Sequence, residues 1–191
     1  TLSEEQALSL MRARLSIPSW TQVEKNQFAA YQEVAKNRAF QLSTELRRPH
    51  EQAPETLTLP KTLANGWYAI SVKAQGLKET WFFLQVTPIA TYTVADKDRL
   101  MVWSVDATTN KSIANLSVRL GSAQTTTDAQ GLAQLTTPSF LVDQKPLEAG
   151  DASPFELIVL GSGDQRAISL IGPAYRPYDF GRQLTAFTNT W

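Results

Sequence analysis

Few side chains in this 191-residue sequence are of types that carry out catalysis. The sequence has one histidine, His50, and no cysteine. His50 follows Arg47, Arg48 and Pro49 in a polar stretch, whereas a catalytic imidazole needs a fixed partner on each ring nitrogen. The lack of cysteine excludes disulfides, thiolate metal sites and cysteine nucleophiles. We therefore predict no catalytic residues, no metal ligands, no cofactor and no enzyme activity.

Three aspartates are the best candidates for metal ligands in this sequence. Asp96, Asp98 and Asp106 offer carboxylates, the ligand type that Ca²⁺ prefers. Lys97 and Arg99 interleave with the first two, and an Asp-Lys-Asp-Arg run before a strand usually caps a turn or faces solvent. Turn formation is the favoured interpretation and calcium binding the minor alternative. The sequence contains no Gly-x-Ser-x-Gly elbow, phosphate loop or dinucleotide fingerprint.

Charge and hydropathy exclude two classes of partner. The sequence has 18 basic and 18 acidic residues, with a formal net charge of zero. A nucleic-acid-binding surface usually needs a basic stripe, so no nucleic-acid partner is predicted. No apolar run reaches the ~18 residues of a membrane-spanning helix, and no signal-peptide pattern is visible at the start. Hydrophobic residues at 42% and charged residues at 19% are typical of a folded globular chain.

The first of four predicted segments, residues 1–54, is a helical element followed by a linker. Ser3 and Gln6 fit a capping box, and Pro18 should end the short helix that follows. We expect its buried face to carry Leu8, Met11 and Leu15. A longer second helix should carry one apolar stripe, made of Phe28, Tyr31, Ala35, Ala39, Leu42 and Leu46. Packing within the protein is favoured for this stripe, and partner binding is the alternative.

The second segment, residues 55–88, changes from helical periodicity to strict alternation. Strands are predicted at Trp67–Ala74 and Trp81–Val86, with Asn65-Gly66 as a turn before the first and Gln75-Gly76 between them. Two strands are too few for an independent sandwich. The hairpin should therefore pack on the helices or close a preceding module.

The third segment, residues 89–172, predicts a seven-stranded antiparallel β-sandwich of the Ig or fibronectin-III type, so the chain as a whole is mainly β. The seven strand candidates are Ile89–Val94, Arg99–Val105, Asn115–Leu120, Ala123–Thr127, Leu132–Thr136, Phe155–Leu160 and Arg166–Ile171. Alternation places Leu116, Val118 and Leu120 in the core and Arg119 in solvent. Asp128 and Gly131 predict a tight turn with positive φ at the glycine. A long polar loop is predicted at Pro138–Pro154.

One stretch of this segment resembles a known family. It has a strand ending in Trp103-Ser-Val-Asp106, a Thr-Thr-Asn-Lys turn, the strand Leu116–Leu120, and the run Thr125-Thr-Thr-Asp-Ala-Gln-Gly131. This order resembles the macroglobulin-like modules of bacterial alpha-2-macroglobulins. Asn110 and Asn115 stand where that family often has glycines. Leu59-Pro60, the strand from Gly66 and the strand Trp81–Thr87 are similar to those that close the preceding module, so the resemblance covers roughly residues 55–172.

The fourth segment, residues 173–191, resembles the family's connection between modules. Tyr178-Asp-Phe-Gly-Arg182 followed by Leu184–Thr188 should form a linker and the first strand of a next module.

The resemblance implies a function without catalysis. The chain would be a structural module of a broad-spectrum protease inhibitor, within a frame that rearranges when a protease cuts the parent protein. Its partners would be neighbouring macroglobulin-like modules and, through the parent, target proteases. It also implies a periplasmic location, possible anchoring of the parent to the inner membrane, and no cofactor. The cysteine-dependent thioester of some members has no place in this sequence.

The alternative is an Ig-like adhesion or carbohydrate-binding module of a cell-surface protein. Exposed tryptophans or the Pro138–Pro154 loop would then contact the ligand. Trp20, Trp67, Trp81, Trp103 and Trp191 show no common spacing, which favours core and interface roles over a sugar-stacking platform.

Overall fold

The computed structural model describes residues 1–15, 31, 41–43, 58–59, 62–73, 79–142, 154–162 and 164–172. The chain divides into two compact units at Pro88–Ile89, with residues 163–167 assigned to the first. His50, most of the predicted second helix, the Gln75-Gly76 turn, most of the Pro138–Pro154 loop and the tail 173–191 lie outside the described residues.

The first unit begins with helix α1, Glu4–Leu15. Its predicted capping box is confirmed. The Gln6 N–H donates to Ser3 Oγ over 3.2 Å, and the Ser3 N–H donates to Gln6 Oε1 over 2.9 Å. These two bonds satisfy donors at the helix start that have no partner within the helix.

The buried face of α1 differs from the predicted one. Ala7 and Leu10 are fully buried, whereas Leu8, Met11 and Leu15 are only partly buried. The helix packs on the hairpin that follows, so its orientation depends on that contact and is rotated by about one residue from the predicted face.

That hairpin consists of strands β1, Gly66–Val72, and β2, Thr80–Val86, which pair antiparallel. Trp67 is buried, and its indole N–H donates to Gln85 Oε1 over 2.8 Å. The Leu2 N–H donates to Trp67 O over 2.7 Å, which ties the chain start to β1. The Tyr31 ring lies 5.5 Å from the Trp81 ring. The hairpin therefore packs with helical elements, as one of the two sequence alternatives proposed.

Leu42 corrects the predicted stripe of the second helix. Residues 41–43 are not helical, and Leu42 is 43% exposed. The regular spacing of apolar residues predicts that the helix continues through Leu42, but the structure has no helix at this position.

All seven predicted strands are present after Pro88, and they belong to the second unit except for residues 165–167 of the last one. They are β3, Ile89–Ala95; β4, Arg99–Asp106; β6, Ser117–Leu120; β7, Ala123–Thr126; β8, Leu132–Thr136; β9, Glu156–Ser162; and β10, Gln165–Ile171. A two-residue strand β5, Lys111–Ser112, was not predicted, and a short helix α2, Ser139–Val142, occupies the start of the predicted loop.

The strands form two sheets. One sheet has the order β10-β9-β6-β7, and the other has β3 and β8 on opposite sides of β4, with β5 beside the end of β4. The predicted fold class, a mainly β chain with an antiparallel sandwich after a helical element and a hairpin, is confirmed.

The core lies between these sheets. Val118 pairs with Leu160 and Leu120 with Ile158 across β6 and β9, and all four are buried. The predicted inward set Leu116, Val118 and Leu120 is therefore confirmed. Arg119 is half-buried and not exposed as expected, because its strand is central in its sheet, between β7 and β9.

Candidate interaction surface

The Asp128–Gly131 turn joins β7 to β8 and follows the predicted chemistry. Asp128 Oδ1 accepts hydrogen bonds from the N–H groups of Gln130 and Leu132, each over 2.9 Å. The Gly131 N–H donates to Asp128 O over 3.0 Å. Gly131 has a φ of +77°, which confirms the predicted left-handed conformation.

Thr127, just before this turn, is a structural residue that the sequence did not single out. It is 2% exposed. Its hydroxyl donates to Ile113 O over 2.6 Å and accepts from the Leu116 N–H over 2.9 Å. The Thr127 N–H also donates to Leu116 O over 3.0 Å. Thr127 thus holds the segment between β5 and β6 against β7. The one sequence signal for this role is the position of Thr127 at the end of the threonine run.

Two asparagines in the same region adopt the left-handed conformation. Asn110 has a φ of +56° and Asn115 a φ of +57°. Asparagine and glycine are the residues that most readily adopt this conformation. Both asparagines occupy positions where the resembled family often has glycine, so the backbone explains why either residue fits there.

Two of the three aspartates considered as calcium ligands, Asp96 and Asp106, cap turns. Asp96 Oδ1 accepts from the N–H groups of Asp98 and Arg99, over 2.8 and 2.6 Å. Asp106 Oδ1 accepts from the N–H groups of Thr108 and Thr109, over 2.8 and 2.9 Å. Since β4 separates Asp98 from Asp106 by about 25 Å at ~3.3 Å per residue, the three carboxylates do not share a cation.

These bonds set the acidity of two carboxyl groups. Backbone N–H donation from Asp98 and then Arg99 lowers the pKa of Asp96. Backbone N–H donation from Thr109 and then Thr108 lowers the pKa of Asp106. In both cases hydrogen bonding to the charged form favours ionisation, which suits a turn cap.

The sheet containing β3, β4 and β8 carries exposed apolar side chains on β3 and β4. Four large side chains there are exposed: Tyr92 by 66%, Val94 by 51%, Trp103 by 46% and Met101 by 42%. Tyr92 is the cross-strand partner of Trp103, and Val94 that of Met101. We call these four residues the outer apolar face.

The outer apolar face is fixed in position by the buried residues of β4 and by a hydrogen bond to a neighbouring turn. On β4 the alternate residues Leu100, Val102 and Ser104 are buried, so Met101 and Trp103 must point away from the core. The indole N–H of Trp103 donates to Gln130 O over 3.1 Å, in the Asp128–Gly131 turn. Exposed apolar patches of this kind mark interaction sites more often than isolated apolar residues do.

The part of the chain that the structure describes has no metal site and no membrane-spanning helix. Among the described residues, no group of three His, Cys, Asp or Glu side chains is placed to hold a metal ion. Within the same residues, no helix is long and apolar enough to cross a membrane. Of the five tryptophans, Trp67 is buried, Trp81 is half-buried and Trp103 is exposed, while Trp20 and Trp191 lie outside the described residues.

The fold and surface define a β-sandwich module with an apolar sheet face, preceded by a helix-backed hairpin. Two solved structures are similar to part of it. The crystal structure of native alpha-2-macroglobulin from Escherichia coli spanning domains NIE-MG1 matches at 19% identity and a TM-score of 0.40, covering 56% of this chain and 49% of that one. The one spanning MG0-NIE-MG1 matches at 18% identity and a TM-score of 0.41, covering 55% and 33%.

This chain thus spans half or less of the length of either structure. At this level of similarity neither assigns an activity to it. No protein-family model and no curated protein matches the sequence.

Proposed function

We propose that this chain is a non-catalytic structural module of a bacterial alpha-2-macroglobulin-like, broad-spectrum protease inhibitor. It forms part of a frame that rearranges when a protease cuts elsewhere in the parent protein. Its place is the periplasm, where the parent meets its target proteases. Its direct partners are neighbouring macroglobulin-like modules.

The observation that carries the proposal is the backbone of the motif region. Asn110, Asn115 and Gly131 all have positive φ. They lie in the stretch whose motifs resemble the family, and the two asparagines replace residues that are often glycine there. A replacement of glycine by asparagine at a left-handed position keeps the turn, so these departures from the family pattern fit the same backbone.

The described structure supports a role as a rigid module that moves relative to its neighbours. The second unit has its own core, as Val118, Leu160 and Ile158 show no exposed surface, so it can move as one body. Its outer apolar face, by contrast, leaves Tyr92 and Trp103 open to contact. A neighbouring module that covered this face would gain stabilisation from burying apolar surface, and relative motion of the modules would expose it again.

The test uses the parent protein, expressed with all modules encoded around this segment. It is incubated with a broad-specificity protease, and the cleavage of a small peptide and of a large protein substrate is followed. Loss of activity on the large substrate alone, in proportion to the inhibitor added, supports the proposal. Equal activity on both substrates, or a parent that contains no further macroglobulin-like modules, overturns it.

The isolated chain is the matched control. It should neither inhibit nor cleave proteases, because it has no cysteine for a covalent trap and its single histidine lies in a polar stretch. Selective loss of activity on the large substrate with this chain alone would show trapping by the fragment itself and would end the scaffold interpretation.

A second candidate is an Ig-like adhesion or carbohydrate-binding module, and the Tyr92–Trp103 pair favours it. Two exposed aromatic rings on neighbouring strands form a surface on which a sugar ring can stack. Glycan binding that is lost in Trp103→Ala and kept in Met101→Ala would support this candidate over the scaffold.

A further inference from the structure

A cleft lies between strands β7 and β8, which follow each other in the chain but belong to different sheets. Its volume is about 380 Å³. Residues 123–125 of β7 and 134–136 of β8 line it, with Asp98 and Arg99 at one end. The Asp128–Gly131 turn joins the two strands, so the cleft lies where they diverge from this turn.

The core side of β7 is poorly covered at this cleft. Ala123 and Thr125 are the cross-strand partners of Leu120 and Val118, so all four side chains share one face of the sheet. Leu120 and Val118 are buried, whereas Thr125 is half-buried and Ala123 is exposed. The inner face of β7 is therefore partly open to solvent, although the same face of its neighbour β6 lies in the core.

The hydrogen-bond pattern shows which backbone groups of β8 bond to β4. The Ser104 N–H donates to Gly131 O over 2.9 Å, on the β8 side of β4. Because orientations alternate along an antiparallel ladder, the other even-numbered residues of β4 also bond on this side. Their partners on β8 are Ala133 and Leu135. The even-numbered residues of β8 consequently direct their N–H and C=O groups away from β4.

Two of these residues direct their backbone groups at the cleft. Leu132 is already bonded on that side, since its N–H donates to Asp128 Oδ1 and its C=O accepts the Asp128 N–H. Gln134 and Thr136 come next, and β8 has no pairing partner on that side among the described strands. An extended peptide bonds to such groups when it adds a strand to a sheet edge. Strand β3, the other edge of this sheet, already has an interaction partner at Ile89.

We infer that residues 184–188 of this chain occupy the cleft and pair with β8 as an antiparallel strand. This segment completes the sandwich, instead of beginning another module. Residues 183–191 carry no charge, proline or glycine, so the segment can enter without burying an unpaired charge. The inference rests on the described sandwich and not on the proposed function, so either can fail without the other.

Chain length and direction allow this placement. β10 follows β9 as its neighbour and returns along it, to the end of the sandwich that contains Leu120 and Ala123. Three strand spacings, ~14 Å in all, separate β10 from β7 in that sheet. Residues 173–183 can span up to ~36 Å. A segment that enters the cleft from this end runs antiparallel to β8, which ends there at Thr136.

Side-chain size sets the register. Alternation places Leu184, Ala186 and Thr188 on one face of the segment, which we direct inwards against Ala123. The cleft is widest away from the turn, so the largest of the three, Leu184, lies at that end. Ala186 then faces Leu135, whose own N–H and C=O groups bond to β4.

The same register forms two hydrogen-bonded pairs. Thr185 lies opposite Thr136, and Phe187 lies opposite Gln134. In an antiparallel ladder each such pair exchanges two N–H···O=C bonds. The free groups of β8 at the cleft are thereby all used.

Cross-linking tests this pairing in the full chain, which has no cysteine of its own. Thr136→Cys combined with Thr185→Cys occupies a hydrogen-bonded pair, where Cα atoms lie ~5.5 Å apart, within the range of a disulfide. This double variant should form a disulfide within one chain on mild oxidation.

The matched control is Val94→Cys combined with Thr185→Cys. Val94 is exposed, and it lies on β3, three strand spacings or at least ~14 Å from the added strand. This pair should not link. Equal linking in both double variants, or links only between chains, would overturn the inference.

Amide hydrogen exchange followed by NMR gives a second readout. The full chain is compared with a chain cut after Gly172. The N–H groups of Gln134 and Thr136 should exchange at least about tenfold more slowly in the full chain, because the added strand protects them. The Ala133 N–H bonds to β4 and should exchange equally slowly in both, which shows that the sandwich is intact. Equal exchange of Gln134 and Thr136 in the two chains would contradict the pairing.

Two charged variants test which face of the segment points inwards. Ala186→Asp places a carboxylate on the inner side and should remove the slow exchange at Gln134 and Thr136. Thr185→Asp places the same charge on the outer side and should keep it. The opposite result, or an equal effect of both variants, would overturn the proposed register.

Discussion

Gly131 lies against the backbone of Ser104 so closely that no side chain fits between them. The Ser104 N–H donates to Gly131 O over 2.9 Å, and a Cβ atom at Gly131 would lie 2.5 Å from Ser104 O. That carbonyl also accepts the Ile113 N–H over 3.1 Å, so it is fixed in place. Through this contact the turn before β8 is set against β4 at one position along the strand.

Replacement of Gly131 by alanine should therefore be costly. The positive φ alone costs about 1–2 kcal/mol for a residue with a Cβ atom, and the clash with Ser104 O adds to it. We expect the free energy of unfolding to fall by more than ~2 kcal/mol in urea denaturation, and Gly131→Val to be worse.

Gly121→Ala is the matched control, since Gly121 has a φ of +57° and no atom beyond its two chain neighbours lies within 4 Å of the place that the added methyl group would take. Its free energy of unfolding should fall only by the conformational cost of the positive φ. Equal losses at both glycines would show that the contact with Ser104 is unimportant.

Val118→Asp tests the register of β6. Val118 has no exposed surface and pairs with Leu160, so an aspartate there would be a buried charge without a partner. Such changes cost at least about 3 kcal/mol, and the melting temperature should fall steeply. Gln134→Asp, at an exposed position of β8, should have little effect. An unchanged melting temperature in Val118→Asp would rule out this register.

Thr127→Val tests the role of the buried hydroxyl. Valine keeps the shape of threonine but leaves Ile113 O and the Leu116 N–H without this partner. Leaving a buried polar group unsatisfied costs about 1–3 kcal/mol, and we expect a loss in that range by thermal or urea unfolding. Thr126→Val, next to it and exposed, should be near neutral. A stable Thr127→Val chain would contradict the assigned role.

Asp106→Asn tests the acid stability of the turn after β4. The pKa of Asp106 is lowered from its ordinary value of 3.8 by the N–H groups of Thr109 and Thr108. Its contribution is therefore present above that value and is lost as the pH falls through the lowered pKa of the folded chain. Asparagine retains an acceptor oxygen but does not titrate.

The variant should be less stable than the wild type at pH 7, and the difference should shrink below pH ~4. Thermal unfolding at a series of pH values measures this. A difference that stays constant down to the most acidic pH would show that the carboxylate charge does not act on the turn.

Local sequence patterns were sufficient to predict the strands and turns of the second unit. All seven predicted strands are present, because alternation and turn residues act over a few neighbouring positions. The capping box at Ser3 and Gln6 and the positive φ at Gly131 were predicted for the same reason. The aspartates at 96 and 106 likewise cap the turns that follow them.

Only tertiary structure decided which side of each element is buried. Alternation in β4 separates Met101 and Trp103 from Leu100, Val102 and Ser104, but does not say which set faces the core. The protein buries Ser104 and exposes Trp103, because the pairing of β4 with β8 and the contact of Ser104 with Gly131 fix the strand from a distance in sequence. The same holds for α1, whose buried residues Ala7 and Leu10 are set by packing on the hairpin. The sequence by itself therefore determined the elements and their turns, whereas contacts between distant residues decided the core and the outer apolar face.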